Sequence, residues 1–215
     1  MLTQCRFMLV VLAASAVLST AYTARATSVD LIATPFTGAD TSVRIVLDDA
    51  GGDISVTLTV NEGLADLRGV FFQVANNTLP AGLSIVGDDV TKWKSDIDDL
   101  INMRHGNNLR GGGTPCPCDI AVSLGTPGIG KDDIFSTSFV ISADNPLTLD
   151  LFADQLIGVR VTSVGDDKGK RSGSAKLVGT IPDPNTPVPE PTPGLLTAAG
   201  LGALSYYASR RQRRR

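Results

Sequence analysis

An alternation of apolar and polar residues, recurring along the middle of the chain, constrains the fold more than any other feature. From Ile54 to Val60 every second residue is apolar, and the residues between them are Ser or Thr. This is the pattern of a half-buried β-strand. The turn-forming stretch DDAGGD, residues 48–53, precedes this run, and NEG, residues 61–63, follows it. Apolar runs bounded in this way are typical of short strands joined by turns.

Further runs of the same kind predict the other strands, and the acidic residues agree with them. Of the 22 acids only Glu62 and Glu190 are glutamates, and aspartate favours turns over helix interiors. The runs are Val43 to Leu47, Leu67 to Ala75, Leu83 to Val86, Ile120 to Leu124, Ile134 to Ser142, Leu147 to Phe152, Leu156 to Val164 and an edge strand at Lys176 to Val178.

One short helix is predicted within Thr91 to Met103, where four apolar residues fall on one helical face: Trp93, Ile97, Leu100 and Ile101. We therefore expect an all-β fold. Its form is an antiparallel two-sheet sandwich of about eight or nine strands with that one helix.

The body of the chain is acidic. Residues Thr27 to Pro187 hold 12 Lys and Arg against 21 Asp and Glu, a difference of −9. A surface of this charge repels phosphate backbones, so we expect no nucleic-acid partner.

The first 26 residues have the three parts of a secretory signal peptide. Arg6 supplies the positive charge, Phe7 to Leu18 forms the apolar region, and Ala24-Arg25-Ala26 fits the small-residue cleavage pattern. Residues 1–26 are predicted to form a signal helix that is removed, the alternative being an uncleaved anchor. The β-sandwich body is then assigned to residues 27–180.

The other end predicts a membrane segment. Residues 181–193 contain six prolines and read as a stiff, extended spacer. Residues 194–209 are small or apolar and are predicted to form a C-terminal transmembrane helix, and residues 210–215 include five arginines. Arginines after an apolar helix stay cytoplasmic, so the body is expected on the outer side of the membrane.

The tail resembles the PEP-CTERM sorting signal of Gram-negative bacteria and cyanobacteria. The matching features are Pro189, Glu190 and Pro191, the apolar segment, and an arginine cluster that begins with Arg210 and Arg211. The resemblance implies recognition by exosortase, an integral-membrane protease. It also implies sorting from the inner membrane to the cell envelope or an exopolysaccharide matrix, whether the tail is then cleaved or retained.

A second resemblance concerns the body. Leu67 to Phe72, Gly125 to Ser136 and Leu147 to Phe152 are similar to a β-rich module of exported cyanobacterial and other bacterial proteins. That module has no activity to transfer, so the resemblance implies export and β structure only.

The side-chain inventory does not favour an enzyme. The single histidine, His105, lies in a polar loop, and no serine occupies a Gly-x-Ser-x-Gly elbow. A Ser-His-Asp arrangement would depend on that one residue. We therefore expect a non-enzymatic structural or interaction protein of the envelope or matrix.

The alternative is a carbohydrate- or calcium-binding adhesin module. Trp93 is the only tryptophan and the candidate sugar platform. Against this use, Trp93 also fits the packing between helix and sheet. Calcium takes several oxygen ligands, and the candidate ligands are the turn aspartates Asp48, Asp49, Asp53, Asp88 and Asp89.

Cys116 and Cys118 would be the only cysteines left after signal cleavage. In an oxidising compartment they are predicted to form a disulfide. The favoured role is a local staple of the preceding glycine-rich loop, and the alternative is a redox-active bond.

Overall fold

The structure, a computed structural model, describes residues 28–112, 116–126, 132–165 and 171–186. These residues contain ten strands and two short 3-10 turns, Ala75–Asn77 and Leu149–Phe152. The strands are β1 (Ser28–Gly38), β2 (Ser42–Asp49), β3 (Ile54–Glu62), β4 (Leu64–Phe72), β5 (Ser84–Val86), β6 (Val90–Ser95), β7 (Ile120–Leu124), β8 (Ser136–Ser142), β9 (Leu156–Gly165) and β10 (Gly173–Thr180).

All strand pairs are antiparallel, and the order across the sheet is β5-β8-β3-β2-β1-β10-β9-β4-β7-β6. Strand β1 joins the two halves of this order. Its residues 28–33 pair with β2, and its residues 34–38 pair with β10. A register shift lies between Pro35 and Thr37, where a bulge lets a strand bend.

The main core brings together strands that are far apart in the sheet order. Phe72 of β4 packs edge-on against Phe139 of β8, with ring centroids 6.3 Å apart, although these strands are far apart in the sheet order. Phe72 also contacts Phe152, at 5.1 Å between centroids. The buried residues of β2 and β3 alternate with half-buried or exposed ones, as expected for strands with one buried face.

The prediction of an all-β antiparallel fold is confirmed, but the number of strands is ten instead of eight or nine. β1 and β6 were not predicted. β10 is not an edge strand, because it pairs with both β1 and β9.

The predicted helix within Thr91 to Met103 is wrong. Residues 90–95 form β6, and turns follow it. The predicted strand at Leu147 to Phe152 is also wrong, because Leu149–Phe152 is a 3-10 turn. Its spacing of three places Leu149 and Phe152 on the same buried side.

No helix in the described part of the chain is long and apolar enough to cross a membrane. The predicted signal helix, residues 1–26, and the predicted transmembrane helix, residues 194–209, lie outside the described residues.

Candidate functional site

The chain between β6 and β7 covers the outer face of β4 and β7. We call residues 96–119 the covering segment; its residues 113–115 are not described. A second apolar cluster, separate from the main core, lies beneath it and consists of Phe71, Leu100, Met103, Leu109, Cys116, Cys118 and Ala121. Strand β4 is therefore buried on both faces from Ala65 onward.

Two glycines allow the covering segment to approach the sheet. A Cβ atom added at Gly69 would overlap the side-chain amide of Asn107. A Cβ atom added at Gly158 would overlap the Leu109 side chain. Close backbone approach of this kind is a recognised reason for glycine inside a strand.

Two cations of the sheet hold the covering segment by its backbone. Arg160 donates from Nε to the carbonyl of Gly106 at 3.1 Å, and Lys176 donates from Nζ to the carbonyl of Arg110. Burial lowers the pKa of Arg160 and, together with the nearby Arg160 charge, that of Lys176.

Asp119 anchors the far end of the covering segment. Its side chain is fully buried, and it accepts the N–H of Val74 at 2.6 Å and the N–H of Asp98 at 2.7 Å. The structure also joins Cys116 and Cys118 in a disulfide, with Cα atoms 5.3 Å apart. Both sulfur-bearing residues are buried in the second apolar cluster.

A cavity of about 220 Å³ opens where the covering segment meets β4, β6 and β7. Most of its lining residues have cationic or polar side chains, although the surface they present to the cavity is mainly apolar. The lining residues are Arg68, Thr91, Lys92, Met103, Arg104, His105, Asn107, Ser123 and Gly125. No carboxylate is among these lining residues.

The turn at residues 104–106 brings Arg104 and His105 to the cavity. Arg104, His105 and Gly106 have φ values of 70°, 50° and 79°, a left-handed conformation that non-glycine residues rarely adopt. The turn is closed by the N–H of Asn107 bonding to the carbonyl of Arg104 at 3.0 Å, and the N–H of Met103 bonds to the carbonyl of Asn107 at 2.9 Å.

Asn107 lies in the wall of the cavity and is only 6% exposed. Its Nδ2 donates to the hydroxyl oxygen of Ser123 at 3.0 Å. Its Oδ1 is buried and has no hydrogen-bond partner among the described residues. Buried polar atoms in native proteins nearly always have a partner, so this oxygen is an unused acceptor.

Arg68 is fixed by contacts with three residues. Its Nη1 donates to the carbonyl of Thr126 at 2.6 Å and lies 3.8 Å from a carboxylate oxygen of Asp66 and 3.8 Å from one of Asp132. Asp66 accepts the N–H of Ile134 at 3.1 Å. Burial nevertheless raises the pKa of Asp66, because desolvation outweighs that hydrogen bond and the Arg68 charge.

The predicted calcium ligands lie in two turns. Asp48, Asp49 and Asp53 belong to the β2–β3 hairpin, where Asp49 accepts the N–H of Gly51 at 3.0 Å. Asp88 and Asp89 lie between β5 and β6. Within the described ranges, no three His, Cys, Asp or Glu residues are grouped so that they could hold a metal ion.

Trp93 lies on β6 opposite Val122 of β7, half-buried and packed against the main core. It does not line the cavity. The predicted sorting residues Pro189, Glu190, Pro191, Arg210 and Arg211 lie outside the described residues.

Sequence reasoning singled out His105 but missed Arg68, Lys92, Arg104 and Asn107 as members of one site. Arg104 and Asn107 lie beside His105 in one turn, but Arg68 and Lys92 come from strands that only strand pairing brings to it. Comparisons with protein-family models, curated proteins and solved structures found no match to this chain.

Proposed function

We propose that this chain is an exported, non-enzymatic protein of the bacterial envelope or extracellular matrix, in which the β body acts as a binding or structural module. The sorting motif in the tail is the observation that supports the proposed location. Pro189, Glu190 and Pro191 precede an apolar segment and terminal arginines in the order typical of PEP-CTERM signals. An exosortase-type protease is the partner that this motif implies, and the membrane is contacted through residues 194–209.

The proposal of a binding role comes from the cavity. Its lining combines cations, an amide and hydroxyl groups without a carboxylate to orient His105, whereas a general base is usually oriented by a third group. This arrangement supports ligand binding over proton transfer.

We also propose that the two five-stranded halves of the sheet, on either side of the β1–β10 pairing, form the layers of a sandwich. The Phe72–Phe139 contact and a core drawn from both halves support this architecture. The covering segment then forms an additional layer over one half.

The location is tested in the native host by mass spectrometry of inner-membrane, outer-membrane and secreted fractions. We expect a form that begins near residue 27 and has left the inner membrane. A chain found only in the inner membrane with both ends intact would contradict processing.

A variant with the five terminal arginines replaced by glutamine tests the tail itself. We expect this variant to be mis-sorted because the cytoplasmic charge that orients the apolar segment is lost. The matched control is Arg110→Gln, a single exposed arginine of the body, which should be sorted normally. Normal sorting of the five-arginine variant would contradict the proposed signal.

The second candidate function is an adhesin module that binds carbohydrate or calcium. The cavity favours carbohydrate, because hydroxyl-bonding groups line it. Calcium is tested by thermal unfolding with added calcium or with chelator. An increase in Tm with calcium would support a site built on Asp48, Asp49, Asp53, Asp88 or Asp89, and identical curves would remove this candidate.

A further inference from the structure

The cavity under the turn at residues 104–106 concentrates positive charge on a body whose charge is otherwise negative. Lys92 and Arg104 are exposed at its edge, and neither forms an ion pair with any described residue. The difference between bases and acids over residues 27–187 is −9. Unpaired cations around a concave site attract an anionic ligand, because the low-dielectric wall strengthens their field.

Arg68 plays a different part from the two exposed cations. Its guanidinium lies close to the carboxylates of Asp66 and Asp132, and these two negative charges offset its positive charge. Its planar guanidinium is instead held as a fixed hydrogen-bond donor at the cavity wall. The net attraction for an anion therefore comes from Lys92 and Arg104.

The unpartnered amide oxygen of Asn107 indicates what else the ligand carries. A buried acceptor without a donor is unfavourable, and Oδ1 of Asn107 is in that state in the cavity wall. A simple anion such as chloride, or a carboxylate group by itself, brings no donor for this oxygen. A hydroxyl group both donates and accepts, so it suits the amide in either orientation.

The size of the cavity limits the ligand further. About 220 Å³ is below the roughly 300 to 1,000 Å³ of sites that enclose drug-sized molecules. It accommodates one small ring at a time. Met103 adds an apolar side chain to this lining, against which a ring can pack.

We propose that this cavity binds the acidic sugar unit of a polysaccharide, a pyranose ring that carries a carboxylate. The carboxylate is bound by Lys92 and Arg104, and ring hydroxyls bond to Asn107 and the guanidinium of Arg68. This assignment rests on the proposed matrix location for the source of the ligand, but binding itself is measured on the purified protein.

The test is calorimetric titration of the full chain, purified in mild detergent, with three probes. D-glucuronate carries both charge and hydroxyls, glucose lacks the charge, and propionate lacks the hydroxyls. We expect glucuronate to bind with a Kd at least about tenfold lower than that of either other probe, because only it satisfies the cations and the amide together.

Two variants on one strand locate the binding. Lys92→Gln should raise the Kd for glucuronate by about fivefold to tenfold, because it removes one charge-assisted contact. The matched control is Lys94→Gln. Lys94 is exposed on the same strand but lines a separate cavity of about 540 Å³ beside Asp96 and Asp99. Its replacement should change the Kd less than about twofold, because Lys94 lines the other cavity, where Asp96 and Asp99 offset its charge.

A spectroscopic readout does not depend on any variant. The chain has a single histidine, so the imidazole resonance of His105 is unambiguous. We expect glucuronate to shift this resonance and glucose, at the same concentration, to leave it in place.

The proposal is overturned if glucuronate binds no more tightly than propionate or glucose, or if Lys92→Gln and Lys94→Gln weaken binding equally. An unmoved His105 resonance at saturating glucuronate also overturns it. Failure of these measurements leaves the sorting experiments unaffected. If the sorting experiments fail but glucuronate still binds, the proposed location is wrong and the proposed binding site stands.

Discussion

Replacement of Asp119 by alanine is expected to be among the most destabilising single changes in the body. The carboxylate is fully buried and is the acceptor for two backbone donors, the N–H groups of Val74 and Asp98, at 2.6 and 2.7 Å. In the Asp119→Ala variant the N–H of Val74, a residue only 1% exposed, stays buried without a partner. The N–H of Asp98, an exposed residue, loses its bond but can be hydrated.

The size of the effect follows from those two donors. A buried donor left unpaired costs about 1–3 kcal/mol, which applies to the Val74 N–H. The lost bond of the Asp98 N–H adds about 0.5–1.5 kcal/mol, so we expect the free energy of unfolding to fall by about 1.5–4.5 kcal/mol. Native domains are stable by only about 5–15 kcal/mol. We therefore expect a large part of the stability to be lost.

The assay is urea unfolding of the full chain in mild detergent, with tryptophan fluorescence as the signal. The denaturation midpoint of Asp119→Ala should fall sharply. The midpoint of Asp119→Asn should lie between those of Asp119→Ala and the wild type, since an amide keeps one acceptor and presents a donor to the other N–H. Asp40→Ala, which removes an exposed carboxylate from a bend, is the matched control and should be close to the wild type.

A second measurement locates the effect. Hydrogen exchange of the Val74 and Asp98 amides should accelerate selectively in Asp119→Asn, because local opening there needs less free energy. If the free energy of unfolding of Asp119→Ala lies within about 1 kcal/mol of the wild-type value, below the lower limit for the two lost bonds together, this account of the covering segment is refuted.

The remaining predictions use the same unfolding assay. Gly69→Ala should destabilise by about 1–3 kcal/mol through overpacking, and adding Asn107→Ala should recover part of that loss because it removes the overlapping amide; simple additivity would contradict the overlap. Because burial raises the pKa of Asp66 above its ordinary 3.8, the folded state binds this proton more tightly than the unfolded state, so the penalty for burying the charge fades as pH falls toward 3.8. Asp66→Asn should accordingly gain stability relative to the wild type as pH is raised from about 4 to 7, and a pH-independent difference would contradict this. Reduction of Cys116–Cys118 should lower the free energy of unfolding by no more than about 2 kcal/mol, because the closed loop is very short; a larger fall on adding reductant would mean that the bond does more than close that loop.

The strands that sequence reasoning identified well are those with one buried and one exposed face. In β3 the buried residues alternate with half-buried Ser and Thr, so period-two counting was sufficient. β1 also alternates, with Val29, Leu31 and Ala33 buried. It was not predicted, and its first residues closely follow the predicted signal peptide.

The wrong helix at residues 91–103 has a clear physical cause. Trp93, Ile97 and Leu100 have helical spacing, but they pack into different places. Trp93 and Ile97 contact the main core, whereas Leu100 belongs to the second cluster under the covering segment. Because these residues contact two different cores, a strand followed by turns can bury all three of them at this spacing. The sequence gives no indication that a second core exists.

The cavity was unpredictable for a related reason. Arg68 and Lys92 lie on β4 and β6, which flank β7 in the sheet, and Arg104 arrives through a left-handed turn. No local pattern links these three positions. The only local indication was the polar loop around His105, which resembles any exposed turn.

The pairing of β1 with β10 determines how the body would respond to mechanical load. The strands are antiparallel, with Thr34 opposite Val178 and Gly38 opposite Ala175. The first residues of β1 and the last residues of β10 therefore lie at the same end of the sheet. Tension applied between Ser28 and Thr180 would first detach residues 28–33 from β2 and then open the β1–β10 pair one hydrogen-bonded rung at a time. Tension applied between Thr180 and a polymer held at the cavity would instead cross the rungs linking β10, β9 and β4, distributing the strain over several hydrogen bonds at once.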